Sequence, residues 1–288
     1  MEHPIISIII VNYNTAHMIG PCLKSIEDNM DFPLETFVVD NASQDESVSL
    51  IKNNFSWVQL MESEQNLGFG KANNLAIPKC KGRYIYFLNP DTQIKSGIFN
   101  IMTSFMDKNP QVGLAGTRLV YPDGQDQDSV QYSYPRHRYA KKKFNQLKGE
   151  IAWVLGASMI ARKEIVQSVG GFDERFFLYA EDVDLCLTIR QKGWEIAYIH
   201  EAQVTHWERQ SEINNPPADV WRRLLIAEKQ FFEKHFPKKA FQIIKWSNII
   251  QAIWRIATLL LIWPFTNNKQ KLKNKIDRYR LTYEIFCK

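Results

Sequence analysis

The chain has 288 residues, which at about 150 per domain amounts to two units, or one large domain with an appendage. With 45% apolar and 23% charged residues, and a length that lets about three quarters of the unfolded surface be buried, it is globular and neither disordered nor collagen-like. The formal net charge is +5, but Thr266–Lys288 holds seven of the 36 basic and two of the 31 acidic residues, leaving 29 of each sign in residues 1–265. This neutral globule with a basic tail gives no general nucleic-acid surface, and no nucleic-acid partner is expected.

Met1-Glu-His-Pro4 lacks the basic flank of a signal peptide, and Ile5–Val11 runs straight into Asn12-Tyr13-Asn14, so no export signal is expected. Ile5–Val11 is a short β-branched run that reads as a buried, parallel-type strand. Thr15–Asn29 is predicted helical, with Met18, Cys22, Leu23 and Ile26 near 3.6 spacing. Strands follow at Phe37–Val39, ending in Asp40-Asn41-Ala42-Ser43, at Val58–Met61, and at Arg83–Leu88, ending in Asn89-Pro90-Asp91. Helices are predicted at Asp45–Asn54 and at Gly70–Pro78, the latter opened by a glycine-bearing turn. Alternating strands and helices imply an α/β fold with a largely parallel sheet, in which ligands collect at the carboxyl ends of strands. The polar strand exits Asn12/Asn14, Asp40/Asn41 and Asn89/Asp91 should therefore converge on one crevice.

Tyr121–Gly149 is rich in Asp, Gln, Tyr and Lys and carries Pro122, Pro135 and Lys141-Lys142-Lys143, which predicts an irregular excursion of the functional kind. Apolar patterning resumes at Ile151–Ala161, and helices are predicted at Ile165–Val169 and Glu181–Lys192, stopped by Gly170-Gly171 and Gly193. Cys22, Cys80, Cys186 and Cys287 share no ligand-like spacing, which argues against a disulfide framework or a zinc site and suits a reducing compartment. The strongest local signal is Glu181-Asp182-Val183-Asp184. A helix start accounts for one or two of these acids through its dipole; a third beside them raises local pKa values and points as readily to function. Gly68-Phe69-Gly70 is only a G-x-G, and neither a dinucleotide fingerprint nor a P-loop is present.

Taken in order, these pieces resemble family 2 glycosyltransferases of the GT-A fold. The residues that carry the resemblance are Ser7-Ile-Ile-Ile-Val-Asn-Tyr-Asn-Thr15, Val38-Val-Asp-Asn-Ala-Ser43, Asn66-Leu-Gly-Phe-Gly-Lys-Ala-Asn-Asn74 and Phe87-Leu-Asn-Pro-Asp-Thr92. The second half adds Gly156-Ala-Ser-Met159, Gly170-Gly-Phe-Asp173, Phe176-Phe177, Glu181-Asp-Val-Asp-Leu185 and His206 followed by Ser211. The match spans about residues 5–211 and is most similar to the rhamnosyltransferase-type branch. It implies a mixed, mainly parallel central sheet with a C-terminal helical extension.

The resemblance also implies roles. Asp40 would accept hydrogen bonds from the donor's pyrimidine base, with Asn12 and Tyr13 lining that pocket, and Gly68 and Asn73 would belong to the donor site. Asn73 stands where some relatives have arginine. Asp91 would hold a divalent metal, Mg²⁺ or Mn²⁺, on the donor diphosphate, His206 completing the site; many relatives have Asp-x-Asp where this chain has Asn89-Pro90-Asp91. Asp182 would be the general base of an inverting displacement. Glu181 would contact the acceptor or neighbouring backbone. Apart from the resemblance, Trp153 and the Tyr121–Gly149 excursion are candidates for acceptor contact, since aromatic faces stack on sugars, and Trp153 reads at least as well as a core residue. The donor would be dTDP-rhamnose or a UDP-sugar and the acceptor a growing, lipid-linked surface glycan. A sugar nucleotidyltransferase and a non-catalytic nucleotide-sugar-binding scaffold are the rival readings; the first lacks its Gly-rich loop at Ile5–Thr15, and Asp40, Asp91 and Asp182 argue against the second.

The expected division is a transferase domain at 1–235, with a nucleotide-sugar half at 1–120 and an acceptor half at 121–235, and a helical, basic extension at 236–288. In that extension Ile249–Phe265 is apolar apart from a stripe of Gln251, Arg255 and Thr258, with Ser247 upstream. Its seventeen residues reach about 25 Å, short of a bilayer core, so an in-plane helix on an anionic, cytoplasmic membrane face is expected; packing on the chain's own domain is the other reading.

Overall fold

The computed structural model describes residues 3–208, 210 and 215–288. The elements are β1 (Ile6–Asn12), α1 (Ala16–Glu27), β2 (Leu34–Asp40), α2 (Ser47–Asn54), β3 (Gln59–Glu62), α3 (Phe69–Ala76), β4 (Tyr84–Leu88), β5 (Thr92–Ile94), α4 (Ile98–Lys108) and β6 (Val112–Val120). There follow β7 (Val130–Gln131), α5 (Lys141–Phe144), β8 (Trp153–Val154), β9 (Ser158–Arg162), α6 (Lys163–Ser168), α7 (Glu181–Gln191), β10 (Glu195–His206), α8 (Pro217–His235), α9 (Lys238–Ile262) and α10 (Lys269–Cys287).

Eight strands form one sheet in the order β3-β2-β1-β4-β9-β6-β10-β5. β3, β2, β1 and β4 are mutually parallel, as are β6 and β10, whereas β9 runs antiparallel between β4 and β6 and β5 runs antiparallel along β10. β1 is buried at every residue, the pattern of a strand covered on both faces. Its side chains alternate between two cores: Ile6, Ile8 and Ile10 join Val38, Tyr84 and Tyr86 under α1 and α4, while Ile9 and Val11 join Phe37, Val39 and Phe87 under α3, α6 and α7. Predicted and observed elements agree to within a few residues through β4. The stretch from Thr92 to Val120 and the long strand β10, for which no pattern was assigned, supply β5, β6 and β10, three of the eight strands.

The register places the chemistry. Asn12 pairs with Asp40 across β1 and β2, and Leu88 of β4 pairs with Ile10 of β1 and Ser158 of β9. His206, at the carboxyl end of β10, pairs with Thr92, the residue after Asp91. Because β9 is antiparallel, its entry Gly156-Ala157 lies at the same edge as the exits of β1, β2, β4 and β10, and the Asn89 N–H donates to the Ala157 carbonyl (2.9 Å). The excursion after β6 is less irregular than expected, since β7 within it pairs with β8 just beyond it, and Arg190, buried on α7, donates to the carbonyls of Lys148 and Gly149 and to the Tyr134 hydroxyl.

The chain forms two compact units. The sheet unit comprises residues up to Pro135, Gln146–Phe177, and Glu181 through the described residues to Gln210. The helical unit comprises Arg136–Asn145, Leu178–Ala180 and the described residues from Asn215 onward, so α8 groups with α9 and α10. Within it α9 is 25 residues long, about 37 Å, and starts at Lys238 rather than Ile249; the shortfall against a bilayer inferred from Ile249–Phe265 therefore does not hold. Among the described residues this is the one helix long and apolar enough to cross a membrane, and only 22% of its apolar window is buried. Ala240, Ile244, Asn248, Ile249, Ala252 and Leu259 form its buried side, with Ile249 packing on Ile285 and Phe286 and Leu259 on Leu272 and Ile276 of α10. Its other side presents Ile243, Trp246, Ile250, Ile253, Trp254 (67% exposed) and Leu261 (74%), with Phe265 (86%) just beyond its end.

Candidate active site

The exits of β1 and β2 form one hydrogen-bonded block. The Asn12 amide donates to Asp40 Oδ1 (2.9 Å) and to the Ser43 hydroxyl (3.1 Å), and its carbonyl accepts from Thr15 Oγ1 (2.6 Å). Asn12 is 0% exposed and has spent both amide hydrogens, so it holds Asp40 in place. The second Asp40 oxygen accepts from the Ser43 N–H at 3.0 Å. Each carboxylate oxygen thus keeps a lone pair, on a rigid mount. Tyr13, half-buried, is the member of the pair beside this block that is not sealed in.

Asn41 extends the block: its amide donates to Asn66 Oδ1 (2.9 Å) and the Gly68 carbonyl (3.2 Å), and its oxygen accepts from the Leu67 N–H (2.8 Å). Gly68 (φ +79°) is required by close approach, since a Cβ there would overlap the backbone carbonyl of Phe177, which also accepts from the Phe69 N–H at 2.8 Å. Asn73 is buried on α3; its amide donates to the Phe69 carbonyl (3.0 Å) and its Oδ1 has no hydrogen-bond partner among the described residues. Gly68 and Phe69 thus join this turn to the segment leading into α7, and Asn73 braces the turn from α3.

Asp91 and His206 meet although 115 residues separate them in sequence. Asp91 Oδ1 lies 3.5 Å from His206 Nε2, with the residues 5% and 3% exposed. Asp91 Oδ2 accepts from the Gln210 N–H at 3.3 Å, and the Asp91 carbonyl accepts from the Trp207 N–H at 2.9 Å. His206 Nδ1 lies 2.8 Å from Gln127 Oε1, and Gln127 Nε2 donates to the His206 carbonyl at 2.7 Å. No group of three or more His, Cys, Asp or Glu side chains with metal-ligand placement occurs among the described residues; Asp91 and His206 are a pair. Ser211, the other half of the closing motif, lies outside the described residues.

Asp182 is tethered at the same edge. Its Oδ2 accepts from the Gly156 N–H (2.9 Å) and its Oδ1 from the Val183 N–H (2.8 Å). Burial raises its pKa against these bonds, which pull the other way. Glu181 is pushed well above the usual carboxylate range, by burial first and then by the charge of Asp182, and its Oε2 has no hydrogen-bond partner among the described residues. Two carboxylates side by side at a helix start share the favourable dipole end, yet both cannot be cheaply ionised in a dry setting. The tether residue Gly156 precedes Ala157, which accepts from Asn89, two residues from Asp91. Trp153, on β8, is half-buried against the second core, and its indole N–H has no hydrogen-bond partner among the described residues. Asn41, Asn66, Gly156 and Gln127 carry as much of this arrangement as the residues picked from sequence.

A mixed sheet with acidic groups gathered along one carboxyl edge is the fold of nucleotide-diphospho-sugar transferases. The structure is similar to mannosyltransferase PcManGT from Pyrobaculum calidifontis, solved with GDP-Man and Mn²⁺, at a TM-score of 0.60 and 18% identity over 100% of this chain and 85% of that one. It is also similar to residues 1–349 of S. aureus TarS in complex with UDP-GlcNAc, at a TM-score of 0.58 and 18% identity over 98% and 91% of the two chains. These likenesses give the GT-A fold. The profile described as "Glycosyl transferase family 2" matches residues 7–170, more than half of the chain, and the chain belongs to that family. It is a nucleotide-sugar glycosyltransferase, as its ordered motifs implied. Among its relatives are the N-acetylglucosaminyl-diphospho-decaprenol L-rhamnosyltransferase of Mycobacterium tuberculosis, 24% identical over 246 residues (75% of this chain, 80% of that protein), and the O-antigen chain rhamnosyltransferase RfbN of Salmonella typhimurium, 28% identical over 211 residues (70% and 66%).

Proposed function

We propose that the protein is an inverting, metal-dependent rhamnosyltransferase that extends a lipid-linked glycan. The observation that carries this reading is the gathering of Asp40, Asp91 and Asp182 along one sheet edge, each buried and each held by backbone or amide donors. The M. tuberculosis and S. typhimurium relatives, both rhamnosyltransferases, support rhamnose as the sugar, and the N-acetylglucosaminyl-diphospho-decaprenol of the first supports a lipid-diphosphate glycan as the acceptor. In this reading Asp40 accepts from the pyrimidine of a dTDP- or UDP-linked donor, Asn12 fixes Asp40, and Tyr13 borders the base. Gly68 and Asn73 form the floor of the donor site.

Asp182 takes the proton from the acceptor hydroxyl as that oxygen attacks the anomeric carbon, which inverts its configuration. An alcohol is a weak nucleophile while neutral, and a fixed carboxylate is worth about 10²–10⁴-fold. The raised proton affinity of Asp182 makes it a better base than a solvated carboxylate, provided it is ionised. Glu181 and Trp153 border the acceptor.

Asp91 and His206 fit a divalent cation, because a buried imidazole nitrogen with no hydrogen-bond partner among the described residues faces a carboxylate oxygen. They would hold Mg²⁺ or Mn²⁺, which when bound supplies Lewis-acid stabilisation of the departing diphosphate.

We further propose peripheral attachment to the cytoplasmic membrane face. The exposed stripe of α9 is apolar for its whole length, while its opposite side is occupied along the same length by its own helical unit, which favours lying in the interface over crossing it. Lys269, Lys271, Lys273 and Lys275 at the start of α10 are exposed and suit anionic headgroups. Transfer from dTDP-rhamnose to a GlcNAc-diphospho-lipid, measured with and without Mn²⁺, tests the function; thymidine diphosphate release without transfer to the lipid-linked acceptor would contradict it.

A further inference from the structure

We infer that Gln127 is a positioning residue that sets the tautomer of His206 and so makes its Nε2 a ligand; this rests on the metal seat proposed above. Gln127 lies in the excursion after β6, in no recognised motif, 79 residues from His206. Its side chain touches His206 twice, at the carbonyl and at Nδ1. The first contact fixes the amide: only its NH₂ can donate to the His206 carbonyl, since the flipped amide would set two oxygens face to face. The amide oxygen must then face Nδ1, and an oxygen only accepts. Nδ1 therefore carries the hydrogen, and in the neutral ring the Nε2 lone pair is bare.

That lone pair is buried, has no hydrogen-bond partner among the described residues, and faces Asp91 Oδ1 at 3.5 Å. Two acceptors facing each other in a dry setting call for something positive between them. The clasp is itself anchored, since the Gln127 N–H donates to the Leu119 carbonyl (2.9 Å) and Asp126 bridges to Val120, both at the end of β6, the neighbour of β10. A neighbour that orients the second nitrogen of a ligating histidine is typically worth 10–100-fold in metal affinity.

The test uses full-length protein, ¹⁵N-histidine labelled and metal-free, in wild-type, Gln127→Met and Gln127→Glu forms. Nitrogen shifts read the His206 tautomer, and calorimetry with Mn²⁺ alone reads affinity. We expect a single Nδ1–H tautomer in the wild type. In Gln127→Met the ring should drift toward the Nε2–H form that free imidazole prefers, and the Mn²⁺ Kd should rise 10–100-fold. Gln127→Glu, which still accepts from Nδ1–H, should retain the tautomer, although its second oxygen cannot donate to the His206 carbonyl and the fold should be less stable for it. A wild-type His206 that is mixed, Nε2–H or doubly protonated, or a Gln127→Met variant unchanged in both readouts, overturns the inference while leaving a Mn²⁺-binding wild type intact. A wild type that binds no Mn²⁺ overturns the metal seat, and Gln127's role in it, whatever the tautomer.

Discussion

Replacing Asp182 by Asn separates chemistry from architecture, because the two have different sizes here. Both Asp182 oxygens accept backbone N–H bonds, from Gly156 and Val183. Asparagine offers one acceptor oxygen, so one of these N–H groups is left facing an NH₂, at about 1–3 kcal/mol. Removing a buried charge offsets part of this, and the net loss should stay near 1 kcal/mol, a few degrees in Tm. Loss of the proton acceptor should lower turnover by about 10²–10⁴-fold, equivalent to about 3–5 kcal/mol on the barrier. Donor binding, measured by calorimetry with the nucleotide sugar, should be unchanged. The pH dependence supplies a second readout. Because the folded pKa of Asp182 lies above its unfolded value, the native state binds protons more tightly. Its contribution to stability is therefore greatest at low pH and falls as pH rises from the ordinary carboxylate pKa through the raised one. Activity should do the reverse, rising over that window as the base ionises. The variant should lose most of the activity and part of the stability slope, Glu181 supplying the rest. Turnover within tenfold of wild type, with Tm lowered by a few degrees, would reduce Asp182 to a helix-start residue and refute the reasoning.

Asp91→Ala should weaken Mn²⁺ binding by at least tenfold and chelator should mimic it in the wild type; chelator-insensitive turnover would show that the leaving group is stabilised by other means. Gly68→Ala should destabilise the fold by about 2–3 kcal/mol or more in urea titrations, because its backbone is in a glycine-only region and its Cβ would overlap the Phe177 carbonyl; an unchanged midpoint would mean that this approach is not made in solution. Trp246→Ser with Trp254→Ser should move the protein from anionic vesicles to the supernatant in co-sedimentation, each ring giving up about 2 kcal/mol of apolar burial, while donor affinity stays constant; binding that persists would exclude the α9 stripe as the contact. High salt should weaken that attachment only in part, since screening acts on the lysines and not on the stripe.

The strands that end in chemistry were readable because their physics is local. β1, β2 and β4 are β-branched or aromatic runs stopped by Asn or Asp, and the rule that parallel sheets bind at carboxyl ends turns three such stops into a site. β6 and β10 escaped because their patterns answer to distant neighbours. Gly116 of β6 is small because a Cβ would press on Val154, and β10 is broken by a register shift between Ile199 and Gln203. Asn12 shows a limit of another kind: polarity at a strand exit does not reveal which of two adjacent groups faces the ligand and which holds the other. Gln127 carried no signal at all, since its importance arises only when β6 and β10 become neighbours. The length of α9 was misjudged because the polar residues of Lys238–Asn248 mask a helix whose buried side begins at Ala240.

The most direct test of inverting sugar transfer is a single product. Wild-type enzyme, Mn²⁺, dTDP-rhamnose and a GlcNAc-diphospho-lipid acceptor are combined, and the anomeric configuration of the new glycosidic bond is read by NMR. Inversion relative to the donor, abolished in Asp182→Asn while donor binding persists, is the predicted result. A product with retained configuration, or transfer that survives the loss of Asp182, would contradict it.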